Sequence, residues 1–285
     1  MRKGNENSIK RNTKDKREKP IGSIAHATSI LTCISNDIHA LTDIARQCGL
    51  GKSTVHRVLK LLEQSRLVVQ DNINRRYYLG PLITQLVSNP LTTHEYLIMQ
   101  ANEEMKRLSQ MSEETVTLDI LIGIKHFSLY EIPSQHDLKV TQESRMVGPL
   151  QAGASVKVLL SLLNDKQLKT ALDSMNITHA TGRTVTSKEL LMTQVREIRQ
   201  QGYAVSYGER IAGAMCISVP IKNYSLPVAL SVVGPESRLK LREKEVIAEL
   251  IASSACISDN IARILSPTRR PGGRLAIAHG ELVEP

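Results

Sequence analysis

Residues 41–62 read LTDIARQCGLGKSTVHRVLKLL, a pattern of helix, tight turn and helix. The hydroxyl of Thr42 is predicted to cap the first helix by accepting a hydrogen bond from its free amides. Gly49 stands where a left-handed residue reverses the chain. Apolar residues recur at helical spacing and predict a buried face on each helix: Leu41, Ile44 and Ala45, then Val55, Val58, Leu59 and Leu62.

The first turns of the second helix carry polar and basic side chains that lie off the apolar stripe. Helix N-termini, hydroxyl groups and cations suit the phosphate oxygens and base edges of DNA. The segment therefore predicts a recognition helix whose N-terminal end enters a DNA groove. An ordinary helical hairpin with a solvated polar end is the alternative. The predicted DNA-contacting residues of this segment are Thr42, Lys52, Ser53, Thr54, His56, Arg57 and Lys60.

A short β-hairpin is predicted to follow the recognition helix. Residues 67–70 and 77–80 are rich in aliphatic and aromatic side chains, which favour strands, and a polar turn joins them. That turn ends in Arg75 and Arg76, which are predicted to contact DNA. Residues 21–84 are thus predicted to form a winged helix-turn-helix domain of three helices and a β-hairpin wing. The first helix is predicted to bury Ile24, Ala27, Thr28, Leu31 and Ile34.

Positive charge is concentrated at the N-terminal end of the chain. The net charge is +5 over residues 1–20 and +3 over residues 21–80, against zero over 81–266 and +1 over 267–285. This asymmetry indicates a polyanionic partner for the N-terminal end. The first twenty residues are predicted to be a disordered basic arm, and the last nineteen a flexible tail.

The length of 285 residues allows two domains with separate cores. No apolar run approaches the ~20 residues of a membrane-spanning helix. The N-terminus also lacks the apolar stretch of a signal peptide, so a cytoplasmic protein without a membrane partner is expected. The four cysteines have no paired spacing and are expected to be reduced: Cys33, Cys48, Cys216 and Cys256.

The rest of the chain predicts a linker helix and a second domain. Helical spacing runs from Leu91 to about Gln110 and assigns residues 85–112 to a linker helix, and residues 113–266 alternate strands with helices. The fold class is therefore α+β, with a mixed or antiparallel sheet flanked by helices in the second domain. A capping box formed by Thr186 and Glu189 is predicted to open a helix that Gly202 ends.

Motifs in both halves make residues 21–266 similar to the IclR family of transcriptional regulators. Residues 50–57, LGKSTVHR, resemble its recognition-helix signature, although Gly51 stands where proline is common, and residues 77–80, YYLG, resemble the end of its wing. The second half resembles the family pattern in order and spacing at GYAV 202–205, Glu209, Gly213, CISVP 216–220, VALSVVGP 228–235, Arg238 and Leu239. The resemblance implies a homodimer or dimer of dimers that binds double-stranded operator DNA through the winged helix and a small effector through the second domain.

The resemblance also implies where the effector binds. The family pocket surrounds a Gly-Lys-Ala segment, but here Val156 and Val158 replace the glycine and alanine, and Ser206 replaces a common aspartate. The implied pocket is more apolar and less acidic, while helix N-terminal amides near Gly153 favour an anion. A small anionic or partly apolar metabolite is expected. Its predicted contacts are Leu138, Val140, Met146, Leu150, Ala154, Ser155, Val156, Ser206, Glu209, Cys216, Ser231 and Val233.

Features of an enzyme are weak in this sequence. It has no nucleophile elbow, no glycine-rich phosphate loop and no Cys-x-x-Cys motif. His126, His136 and His179 have no metal-ligand spacing, and Cys216 lies in an apolar strand. No catalytic residue, metal site or cofactor is predicted. Besides the regulator, two functions stay open: a metabolite sensor acting through protein contacts, and an architectural DNA binder with a closed effector pocket.

Overall fold

The computed structural model describes residues 22–141, 153–175 and 179–265. The chain divides into two compact units, Met1–Asn89 and Pro90–Pro285. The predicted basic arm and C-terminal tail lie outside the described residues, and so do Met146 and Leu150. None of the helices in the described part of the chain is long and apolar enough to cross a membrane.

The first unit is a helix-turn-helix followed by a hairpin, as predicted. Gly49 ends the second helix in the left-handed conformation, with φ 63°. The short strands pair antiparallel, Val68 opposite Leu79 and Gln70 opposite Tyr77. The elements are α1 Ser23–Ser35, α2 Leu41–Cys48, α3 Lys52–Gln64, β1 Val68–Gln70, β2 Tyr77–Leu79 and α4 Pro81–Leu86.

The core of the first unit confirms the predicted stripe of α3 and corrects that of α1. Val55, Val58, Leu59 and Leu62 are all buried. In α1, however, Ile24 is 80% exposed and Thr28 is exposed as well, contrary to the prediction. The side chains that α1 buries against α2 and α3 are Ile30, Cys33 and Ile34.

Thr42 does not cap α2, contrary to the prediction. The carbonyl of Ala40 already accepts the amides of Asp43 and Ile44, so the helix begins at Leu41 with Ala40 as its N-cap. No side chain caps this terminus, and Thr42 is exposed within the first turn.

The second unit is built on a five-stranded sheet of order β4-β3-β7-β6-β5. Every neighbouring pair is antiparallel, which settles the predicted choice between a mixed and an antiparallel sheet. The elements are α5 Pro90–Thr93, α6 Glu95–Ser112, β3 Thr115–Ile122, β4 Lys125–Ile132, α7 Ala154–Ser161, α8 Asp165–Ser174, α9 Lys188–Gln201, β5 Ala204–Tyr207, β6 Ala214–Ile221, β7 Val228–Pro235, α10 Glu236–Leu239, a 3₁₀ turn Lys240–Arg242 and α11 Glu243–Leu265.

Two apolar layers cover the two faces of the sheet. Alternate residues of β3 point to opposite faces, so Leu118 packs with α6 and α11 while Leu121 packs with α7, α8 and α9. Thr117 and Asp119 alternate with Leu118 and therefore lie on the α7 face. The α7 face of the sheet therefore carries buried polar side chains beside its apolar ones.

Two predicted helix boundaries of the second half were wrong. The predicted linker helix over 85–112 is interrupted, because Pro90 has no amide hydrogen and disfavours a helical residue before it. The N-cap of α9 is Ser187 rather than Thr186, and its hydroxyl accepts the amide of Leu190 at 3.2 Å.

Candidate nucleic-acid interface and effector pocket

The N-terminal half of α3 presents cations on an exposed surface. Lys52, Ser53, His56 and Arg57 are exposed, and Thr54 is half-buried. Within the described residues, Lys52 and Arg57 make no ion pair, so their charges are available to a partner. Lys60 differs, since its Nζ lies 2.9 Å from the carboxylate of Glu63.

The start of α3 is open to an anion as well. Gly51 is its N-cap, and no side chain caps the first-turn amides. The φ of Gly51 is −65°, which is the value that a proline ring imposes. The φ of Gly51 therefore suits the proline that is common at this position of the recognition-helix signature.

The wing loop presents two further cations. Asp71 accepts the amide of Ile73 at 2.8 Å, and Asn74 accepts the amide of Arg76 at 2.8 Å, which fixes the turn. The side chains of Arg75 and Arg76 are exposed and form no ion pair in the part of the chain that the structure describes. Ile73, which was not predicted to be functional, is 94% exposed in the same loop.

A cleft open to solvent lies on the second unit, and the space of about 530 Å³ within it includes open solvent. Its floor is a row of residues on neighbouring strands, where Cys216 of β6 pairs with Ser206 of β5 and Val233 of β7. The lining residues are Thr117, Val140, Thr141, Gly153, Ser155, Ser206, Glu209, Arg210, Ile211, Ala214, Met215, Cys216 and Val233.

The structure brings part of the predicted effector set into this pocket. Ser155, Val140, Ser206, Glu209, Cys216 and Val233 line it. Of the residues that sequence reasoning missed, two come from the loop after β5, two from the start of β6, one from β3 and one from the segment after β4, and only the two in the loop carried a signal, as neighbours of Glu209. The missed residues are Thr117, Thr141, Arg210, Ile211, Ala214 and Met215.

Four predicted contacts do not line the pocket. Val156 and Ala154 are buried in the core between α7 and α9, so Val156 adds no bulk to the pocket. Ser231 is fully buried and donates its hydroxyl to Ser218 at 2.9 Å. Leu138 is 71% exposed to solvent.

The donors at the start of α7 already have partners within the protein. The Gly153 amide donates to Oε2 of Glu209 at 3.3 Å, and the Ala154 amide donates to Oγ of Ser206 at 3.0 Å. Lys157, one turn further, donates from Nζ to Oε1 of Glu209 at 2.6 Å. The first two of the amides that were expected to be free for an anion, those of Gly153 and Ala154, are therefore occupied, and Glu209 accepts from both the Gly153 amide and Lys157.

Thr117 of the pocket lining belongs to a buried polar group with Asp119 and His126. The Thr117 hydroxyl donates to Oδ2 of Asp119 at 2.9 Å, and His126 Nε2 lies 3.5 Å from Oδ1 of Asp119. Burial raises the pKa of Cys216 to about 12, and the negative charge of Asp119 adds to the shift. The Cys216 thiol is therefore protonated near neutral pH and unsuited to act as a nucleophile. No group of described residues is arranged to hold a metal ion.

Comparison with known proteins gives matches in both units. The family described as "Bacterial transcriptional regulator IclR C-terminal" matches residues 91–259, and "IclR helix-turn-helix domain" matches residues 23–72. The regulator KdgR of Escherichia coli is 27% identical over 248 residues, covering 86% of this chain and 94% of KdgR. The regulator TtgV of Pseudomonas putida is 30% identical over 242 residues, covering 84% of this chain and 92% of TtgV.

Solved structures share the fold. An IclR homologue from Microbacterium hydrocarbonoxydans, solved in complex with 4-hydroxybenzoate, aligns with a TM-score of 0.54 at 23% identity. The alignment covers 85% of this chain and all of that chain.

Proposed function

The chain belongs to the IclR family of DNA-binding transcriptional regulators with a C-terminal effector domain, and from this premise we propose how it acts. It binds a specific operator in the cytoplasm as a homodimer or dimer of dimers. A small metabolite with an anionic group and an apolar part binds the pocket and changes the affinity for the operator. It is a regulator like its relatives and not an enzyme.

The DNA-binding proposal rests on the exposed, unpaired cations of α3 and the wing loop. Lys52 and Arg57 stand with Ser53, Thr54 and His56 where a recognition helix meets base edges and phosphates. Arg75 and Arg76 are suited to the flanking backbone or minor groove. A dimer would place two such helices about 34 Å apart, or a multiple of that, on a roughly palindromic site.

The effector proposal rests on the open pocket and its chemistry. Val140, Ile211 and Val233 give it apolar surface, and Arg210 contributes a cation to its lining. Such a lining favours a ligand that joins an anion to an apolar body. The presence of an opening supports an effector site over the alternative of a closed pocket. The effector acts only if its affinities for two states of the protein differ.

The deciding experiment is selection of fragments bound by the full chain from random and genomic DNA, followed by salt titration. A pseudo-palindrome bound roughly 10³-fold or more above bulk DNA supports the operator-binding regulator. Steep salt dependence without a motif supports an architectural binder instead. Negligible DNA binding at low salt overturns the proposal in favour of a sensor that contacts protein. Carboxylates, including 4-hydroxybenzoate, are then screened for a change in operator affinity.

A further inference from the structure

The carboxylate of Glu209 is held as a bound anion would be held. Each oxygen accepts one donor, Oε1 from Lys157 Nζ at 2.6 Å and Oε2 from the Gly153 amide at 3.3 Å. The two side chains are only 3% and 11% exposed, Lys157 and Glu209 respectively. Glu209 and Gly153 line the open pocket and Lys157 does not, so an entering ligand can reach the Lys157 ammonium only where Glu209 gives way.

Glu209 belongs to a loop that lies outside the sheet pairing. The loop spans residues 208–213 between β5 and β6, and the last paired residues of the hairpin are Tyr207 and Met215. Its attachment is polar: the hydroxyl of Thr184 donates to the Glu209 carbonyl at 2.6 Å, and that of Thr181 donates to the Gly208 carbonyl at 2.6 Å. Backbone hydrogen bonds hold its two ends, Gly208 N to the Ala214 carbonyl at 2.6 Å and Glu236 N to the Gly213 carbonyl at 2.8 Å, so residues 209–212 can leave their side-chain partners without breaking a strand.

We propose that Glu209 is a tethered occupant of the effector's anion subsite, defined as Lys157 Nζ and the Gly153 amide. This inference rests on the proposed function, in which an anionic effector binds this pocket. The effector's carboxylate displaces that of Glu209 from both donors, and residues 209–212 of the loop move away with it. The exchange of one carboxylate for another then couples occupancy of the pocket to the position of the loop.

Charge explains why exchange is favoured over addition. Two carboxylates on one buried ammonium repel each other, because little water screens them. Lys157 also cannot lose its partner without leaving a buried charge unpaired, which is costly. Exchange avoids both costs. Lys157 keeps one carboxylate partner in either state, and the displaced carboxylate of Glu209 reaches water.

The tether sets a requirement on the ligand. A carboxylate attached to the protein competes at high effective concentration, so a bare anion is a poor competitor. Apolar contacts with Ile211, Val140 or Val233 must supply the additional binding free energy that a free ligand needs to displace Glu209. The subsite therefore selects a carboxylate with an apolar body and rejects its neutral isostere.

The test compares benzoate with benzamide on the full-length wild type and on Glu209→Gln, by calorimetric titration at fixed ionic strength. Glu209→Gln should bind benzoate about tenfold more tightly, because a neutral amide competes less well for Lys157. Benzamide should be unaffected within about twofold. The matched control Glu197→Gln removes an exposed carboxylate of α9 and should leave both affinities unchanged.

A second variant covers the case in which Glu209→Gln fails to fold. Thr184→Val keeps the ion pair but removes the hydroxyl that holds the Glu209 carbonyl, so benzoate should again bind more tightly. Hydrogen exchange of residues 207–213 should accelerate when benzoate binds the wild type. Equal benzoate affinity in the folded variants and the wild type, including no binding to any of them, would overturn the inference.

The two proposals fail in different ways. Tighter benzoate binding by the variants, with no carboxylate altering operator affinity, would leave the anion subsite standing and remove the regulatory role. An effector that shifts operator affinity equally in the wild type and Glu209→Gln would keep the proposed function and refute displacement of Glu209.

Discussion

Arg238 holds the buried carboxylate of Glu114 through two parallel hydrogen bonds, Nε to Oε1 at 2.6 Å and Nη2 to Oε2 at 2.9 Å. The Glu114 side chain is 3% exposed. A Cβ built on Gly234 would lie 2.5 Å from the carboxylate carbon of Glu114. Gly234 and Arg238 both belong to the sequence pattern that resembles the family. The structure gives a physical reason for both residues. Gly234 leaves room for the buried carboxylate of Glu114, and Arg238 neutralises the charge of that carboxylate.

Gly234→Ala should lower the free energy of unfolding by about 1–3 kcal/mol, because the added methyl group overpacks the Glu114 site. Urea denaturation of the full chain would measure this. Gly182→Ala is the matched control, since a Cβ there meets nothing within 4 Å and its φ is not left-handed. Equal stability of the two variants would show that the close approach at Gly234 is not important.

Local patterns could be predicted from the sequence because their causes are local. The buried stripe of α3 follows from 3.6-residue periodicity, and the left-handed Gly49 follows from the turn after α2. The N-caps predicted at Thr42 and Thr186 were wrong, and the helices begin after Ala40 and Ser187 instead. The packing of the surrounding chain decides which carbonyl accepts the first helical hydrogen bond, and the local sequence does not show this.

The site was less predictable because its contacts are distant in sequence. Ser231 and Val233 lie on the same face of β7, yet only Val233 reaches the pocket. Ser231 instead pairs with Ser218. The ion pair of Lys157 and Glu209 joins residues 52 positions apart, and no periodicity indicates it.

Gly51→Pro should raise the free energy of unfolding by about 0.4–1 kcal/mol, because it restricts the unfolded chain while matching the native φ. The φ of −65° fits proline, and a Cβ here meets only side-chain oxygens no closer than 3.9 Å. Chemical denaturation against Gly51→Ala separates the ring constraint from the loss of glycine. If the Gly51→Pro variant is less stable than the Gly51→Ala variant, the native backbone at residue 51 does not accommodate proline and the prediction is wrong.

Arg76→Gln should weaken binding to operator and to non-specific DNA by a similar factor, since the wing arginine is proposed to contact backbone or the minor groove. Removing one phosphate contact should make the slope of log affinity against log salt shallower by about 0.9. Fluorescence anisotropy at several salt concentrations measures both quantities. Arg196→Gln, an exposed position on α9, serves as the control and should change neither. A selective loss on the operator alone would assign Arg76 to base recognition.

Arg57→Ala should cost about 1–3 kcal/mol of operator binding if the guanidinium pairs with a guanine, and should relax preference at one base position. If Arg57 contacts phosphate alone, the loss should be uniform across sequences and the salt slope shallower. Lys60→Ala is the internal comparison and should cost less, because Lys60 already pairs with Glu63 at 2.9 Å. Binding titrations against the selected operator and its single-base variants distinguish the two cases. Unchanged operator affinity together with an unchanged salt slope would remove Arg57 from the interface.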